Sequence, residues 1–196
     1  VNETMADDGL SMRAGRVRLR RGAAWALGAL LVLTPLAAGA QQNGAPQAGA
    51  TAGRTSGLPV PRFVSIKADK VNVRSGPSLD HAVAWVFTRA GLPVEVTAEF
   101  ETWRRIRDSD GAEGWVYHSM LSGRRTALVS PWSKSDPVPL YESREETSSV
   151  KARLEPGVLG KVEHCDGKWC RFFDEGFDGF IEQEKLWGVY PGEKVE

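Results

Sequence analysis

The stretch that decides the fold is Val71-Asn-Val-Arg-Ser-Gly-Pro-Ser78. In an extended strand, Val71 and Val73 point to one face and Asn72 and Arg74 to the other, which predicts a strand with one buried side. Ser75-Gly76-Pro77-Ser78 then turns the chain sharply, because glycine takes positive φ readily and proline fixes its own φ. Downstream, Leu92 to Ala98 alternates loosely with Val94 and Val96 on one face, and Trp103 to Arg107 alternates again. Turn residues separate these runs at Asp108–Gly111 and Asp166-Gly167.

The pattern occurs twice. Val83, Gly91, Val96, Trp103, Ile106, Gly114 and Trp115 recur in order as Val150, Gly157, Val162, Trp169, Phe172, Gly179 and Phe180. Two copies of one small domain are the simplest account of such a repeat. Short strands in about 60 residues cannot make a sandwich, so each copy is expected to be a small, strongly bent β-barrel. The expected organisation is all-β: one barrel over 62–129, a linker over 130–136 within the segment Gly123 to Pro137 that carries Ser130, Pro131, Ser133, Ser135 and Pro137, and a second barrel over 137–196. Thr126 to Val129 is assigned to the first barrel.

Val71–Ser78, Gly91, Trp103 and Gly114-Trp115-Val116 together resemble the bacterial SH3-like (SH3b) domain family, over roughly residues 63 to 122. The second copy departs from the opening signature, with Pro139-Leu-Tyr-Glu-Ser-Arg144 in its place, and keeps the later anchors. The resemblance implies tandem SH3-like barrels and, by analogy only, a module that binds peptidoglycan in the cell envelope. The two-copy arrangement with the tail Leu186–Glu193 is also similar to a group of envelope proteins.

Ahead of the barrels, residues 41–61 are dominated by Gly, Ala, Pro, Gln and Thr and read as a flexible tether. Residues 12–40 run from arginines through an apolar stretch, Ala23 to Leu33, to Pro35 and Ala38-Gly-Ala40. That order is expected of a secretory signal with cleavage after Ala40. An apolar helix from Ala23 to Ala40 would barely span a bilayer and would be interrupted by Pro35, so no stable membrane insertion is expected after cleavage. Residues 1–11 place acids ahead of the basic region, and Met12 is the expected start. The protein is therefore expected to be periplasmic or secreted.

The 196 residues include 25 Lys plus Arg and 25 Asp plus Glu. Beyond residue 40 the net charge is about −2, so no global field favours nucleic acid. Two cysteines exclude a disulfide-dense scaffold and a four-thiolate zinc site. His81, His118 and His164 are scattered without metal-ligand spacing, and neither a metal nor a cofactor is expected.

Aromatic residues are the candidate ligand-binding set. Trp103 shares a strand face with Arg105 and Arg107, and Trp115 shares one with Tyr117. An aromatic surface beside guanidinium groups can stack on sugar rings or clasp a peptide carboxylate. The competing role is burial, because small domains need bulky aromatics to fill a core. Cys165 and Cys170 flank Asp-Gly-Lys-Trp, and if those four residues form a hairpin loop the cysteines face each other and can bridge. No catalytic residue is expected. The functional expectation is a non-enzymatic binding protein for an envelope ligand, peptidoglycan first, with a protein–protein adaptor for an envelope enzyme or receptor as the alternative.

Overall fold

Val71 and Val73 are 1% and 0% exposed with Asn72 open to solvent between them, as the alternation requires. The computed structural model describes residues 51–196, which pack within one unit. The expected signal sequence, its cleavage position after Ala40, and the tether as far as residue 50 lie outside the described residues. Among the described residues no helix is long and apolar enough to cross a membrane.

A two-strand hairpin, β1 (Thr51–Ala52) and β2 (Pro59–Val60), precedes the first barrel. That barrel comprises β3 (Arg62–Ile66), β4 (Val71–Arg74), β5 (Val83–Phe87), β6 (Pro93–Phe100), β7 (Trp103–Arg107), β8 (Glu113–Tyr117) and β9 (Leu121–Ser122). The second comprises β10 (Thr126–Val129), β11 (Val138–Tyr141), β12 (Val150–Leu154), β13 (Leu159–Asp166), β14 (Trp169–Asp174), β15 (Phe177–Glu182), β16 (Leu186–Trp187) and β17 (Lys194–Val195). In hydrogen-bonded order the first sheet runs β5-β4-β8-β7-β6-β3-β9 and the second runs β12-β11-β15-β14-β13-β10-β16, with β17 added on β13.

The two orders match strand for strand, and so do their irregularities. Register shifts fall between Val96 and Ala98 on β6 and between Val162 and His164 on β13. They fall again between Val73 and Arg74 on β4 and between Leu140 and Tyr141 on β11. Each shift bends its strand, which is how so short a sheet curls over its own core. Gly114 and Gly179 sit where β8 and β15 pass closest to that core. A Cβ on Gly114 would collide with Val73, and one on Gly179 would lie 2.6 Å from the Tyr141 carbonyl oxygen and 2.8 Å from Leu140. The core of the first barrel is Ile66, Val71, Val73, Val94, Val96, Ile106 and Val116. Phe172, Leu140 and Ile181 anchor the larger second one.

Thr126–Val129 does not belong to the first barrel, as the sequence was expected to place it. It pairs with β13 and β16, and it is the counterpart of β3. The equivalence lies in the backbone bonds. Gly91 donates to Ile66 and Ile66 to Leu92, just as Gly157 donates to Val129 and Val129 to Val158. The expected tether also ends early, since Thr51 to Val60 form a hairpin held by one carboxylate. Glu99 accepts from the backbone of Thr55 (3.2 Å) and Ser56 (2.9 Å), from the Ser56 hydroxyl (2.6 Å) and from Arg62 (2.9 Å). In the expected 130–136 linker, Ser130 is buried and donates its N–H to Lys185.

The C-terminal tail closes the second barrel on itself and against the first. Arg125 reaches both carboxylate oxygens of Glu193, at 2.8 and 2.9 Å. The buried Gln183 amide donates to the carbonyls of Tyr190 and Glu193. Between the barrels, Phe63 packs on Trp187 and Tyr190, at ring separations of 5.1 and 4.7 Å. The Thr126 hydroxyl donates to the Gly91 carbonyl at 2.7 Å.

Candidate functional site

Trp103 opens β7 directly opposite Tyr117 at the end of β8, and the next pair inward on the same face is Arg105 opposite Trp115. Arg104, Ile106, Gly114 and Val116 occupy the alternate positions and are buried. The four candidate residues therefore share the outer face of one sheet, as alternation predicts. They do not form one site.

Trp103 and Tyr117 come together. Their rings meet edge to face at 5.6 Å, and they line a groove of about 190 Å³ with Lys70, Asn72, Arg74, Leu79 and Met120. Trp103 is only 7% exposed, so it forms the floor, whereas Tyr117 is 40% exposed and forms a wall. Met120 and Leu79 add apolar surface, Leu79 being 74% exposed. An exposed leucine in an otherwise polar turn was the sequence signal for this rim, and the aromatic pattern alone did not lead to it. Lys70 supplies the cation.

Arg105 and Trp115 lie apart from the groove. The Arg105 guanidinium is ion-paired with Glu113, so it is not free to clasp a ligand carboxylate. Trp115 is half-buried between β4 and β7, opposite Arg74 on one side and Arg105 on the other. Arg74 itself organises the groove. Its guanidinium donates to the carbonyls of Leu79 (3.0 Å) and His81 (2.6 Å), folding the 75–82 turn over the end of the sheet. Gly76 leaves room for the His81 ring, which would collide with a Cβ there.

The second barrel carries a different surface at the equivalent face. Tyr141 stands in the place of Arg74, and its ring meets Trp169 edge to face at 5.5 Å. Glu182 takes the position of Tyr117, opposite Trp169. Burial, reinforced by the neighbouring charge of Glu146, raises the Glu182 pKa. Arg144 lies over the Phe180 ring at 5.4 Å. The cationic, tyrosine-walled groove of the first barrel is thus not repeated.

Cys165 and Cys170 face each other across β13 and β14 and form a disulfide, with Cα atoms 4.1 Å apart. The loop is tighter than expected, because Asp166 and Trp169 belong to the strands and only Gly167 and Lys168 turn. Gly167 has φ of 103°. The Asp166 carboxylate accepts from the N–H groups of Trp169 (2.8 Å) and Lys168 (2.9 Å), bonds that lower its pKa. His164 lies opposite Arg171. Among the described residues no group of three His, Cys, Asp or Glu side chains is placed to hold a metal ion.

The fold and the repeat define a tandem SH3-like protein. The chain belongs to the Bacterial SH3 domain family, whose model matches residues 67–123 and 134–188, more than half of its length. None of the curated proteins matches it. Among solved structures, NlpC2 and NlpC1 from Trichomonas vaginalis are similar at 12% and 13% identity, each with a TM-score of 0.30. The matches cover 65% and 68% of this chain and 48% of each of theirs, so the chain spans about half the length of those proteins.

Proposed function

We propose that the protein is a non-catalytic binding module of the cell envelope, and that the groove floored by Trp103 and walled by Tyr117 takes a peptidoglycan ligand. The observation that carries this reading is the groove's composition. A tyrosine and a tryptophan at right angles offer one ring face to a sugar or peptide plane, and Lys70 stands beside them for a carboxylate. The apolar side chains of Leu79 and Met120 extend the contact surface. The disulfide fits an oxidising compartment outside the cytoplasm, periplasmic or secreted. With Cys165 and Cys170 joined to each other, neither offers a thiol nucleophile, which accords with a binding role.

The test is co-sedimentation of the purified protein with protein-free sacculi, beside Tyr117→Ala and Lys70→Ala variants. Saturable sedimentation that either variant weakens supports wall binding at the groove. A folded protein that stays in the supernatant overturns the reading. Retention only when extracted envelope proteins are added would replace it with the adaptor role.

A further inference from the structure

Concave surface lies where the two barrels meet. Two adjoining hollows of about 1020 and 440 Å³ share Ala90, Leu159 and Asp174. The groove at Trp103 is far smaller, at about 190 Å³. The 440 Å³ hollow takes one wall from the first barrel and its exit segment, with Lys67 and Arg124, and the other from Lys161 and Asp174 of the second. Lys161 is neutralised by Asp174 at 3.3 Å. Lys67 and Arg124 form no ion pair among the described residues. Among the described residues the hollow thus carries two cations without a paired acid, over a floor that includes Ala90, Gly91 and Leu159.

Its walls are held in place before any ligand arrives. The Thr126 hydroxyl is bonded to the Gly91 carbonyl in the floor, and a Cβ placed on Gly91 would lie 3.4 Å from a Leu159 methyl group, in ordinary contact. Phe63, Trp187 and Tyr190 fasten the barrels together outside the cleft. A preformed concavity between two packed domains, partly apolar and with a few convergent charges, is the usual form of a small-ligand site.

We propose that this inter-barrel cleft is a second binding site, for a short acidic peptide that places two carboxylates on Lys67 and Arg124 and its backbone over Ala90 and Leu159. Two cations without acids of their own require a ligand that is anionic at more than one point, and an apolar floor between them disfavours a bare ion. The guanidinium fork of Arg124 matches a carboxylate with two parallel bonds. The inference rests on the cleft alone and is independent of what the Trp103–Tyr117 groove binds.

The probe is the tripeptide N-acetyl-Ala-Glu-Ala with a free C-terminus, titrated into isotope-labelled protein while amide signals are followed by NMR. Saturable movement centred on Lys67, Gly91, Arg124, Thr126 and Lys161 is expected at millimolar peptide. A Lys67→Ala, Arg124→Ala double variant, altered only at exposed side chains, should weaken that binding about tenfold or more, and Tyr117→Ala should leave it unchanged. Several outcomes overturn the proposal: no saturable movement at the cleft, or equal binding of the Gln-containing, C-amidated peptide. Inorganic phosphate binding there more tightly than the peptide would do the same.

Discussion

The Tyr190 hydroxyl donates to Glu95 Oε1 at 2.9 Å, a hydrogen bond that ties the tail of the second barrel to a buried carboxylate of the first. Arg107 holds the other oxygen of Glu95. Burial first, then the bond to Glu95 and the nearby carboxylate charges, raise the Tyr190 pKa well above its ordinary value of 10.0. A phenol whose folded pKa is raised contributes stability that is complete below pH 10 and is lost as pH climbs beyond it. Stability measured by urea denaturation should therefore fall above pH 10, and Tyr190→Phe should flatten that slope. At neutral pH the variant should lose about 1–2 kcal/mol, because the charged acceptor keeps only one partner.

Glu99 works in the opposite direction of pH. Its side chain is 1% exposed. Burial alone would raise its pKa, but the bonds from Ser56, Arg62 and Thr55 outweigh it and hold the value at about 2. A carboxylate with a depressed pKa contributes stability above its unfolded value, near 4.5, that is lost as pH falls toward 2. Between those limits the 51–60 hairpin should loosen first, seen as faster hydrogen exchange at Thr55 and Ser56. Glu99→Gln should give the same fast exchange at neutral pH and cost about 2–3 kcal/mol.

Trp103 and Tyr117 sit in one groove but should respond differently to truncation. Trp103→Ala removes a buried indole and should cost about 3–5 kcal/mol, which confounds any binding assay. Tyr117→Ala loses one edge-to-face contact and some exposed surface, about 1 kcal/mol. Thermal melts of both variants check the contrast. Tyr117→Ala is accordingly the variant to carry into binding experiments.

Arg74 should matter for the groove more than for the fold. The carbonyls of Leu79 and His81 both accept from one Arg74 nitrogen, Nη1, and a lysine ammonium, one bond nearer the backbone, does not reach that position. Arg74→Lys is expected to leave the melting temperature close to that of the parent. It should also raise hydrogen exchange over residues 75–82, and ligand affinity should drop as Leu79 loses its fixed place on the rim.

Much of this fold was legible in the alternation of Val71, Val73, Val94, Val96 and Ile106, because each barrel face is dictated by period two. The repeat anchors carried the second barrel even though its opening signature was lost. What escaped was non-local. Thr126–Val129 has no alternation, since all four residues are buried, and only its pairing with β13 and β16 assigns it to the second barrel. Strand alternation grouped Arg105 and Trp115 with Trp103 and Tyr117 correctly on one face. It carried no information on which side chains a neighbouring acid such as Glu113 would occupy. The hairpin over 51–60 depends on Glu99, some 40 residues away, and nothing in the composition of the tether marks that contact.

The disulfide sits where loss of covalent linkage and loss of packing can be separated. Cys165 and Cys170 are both fully buried in the second core, beside Val195 of the last strand. Closing so short a loop restricts the unfolded chain by about 2 kcal/mol on the loop-entropy estimate. Cys165→Ser, Cys170→Ser adds the burial of two hydroxyls and should cost more than Cys165→Ala, Cys170→Ala, which removes the link without adding polar atoms. Denaturation of the three proteins, with and without reductant, gives the comparison. Reduction should destabilise only the parent protein; the reduced parent and both variants, compared with the oxidised parent, should loosen first in the β13–β14 hairpin and in the release of Lys194–Val195, whose pairing partners on β13 are Asp166 and Cys165. Unchanged stability on reduction of the parent would mean that packing, not the covalent link, holds this hairpin.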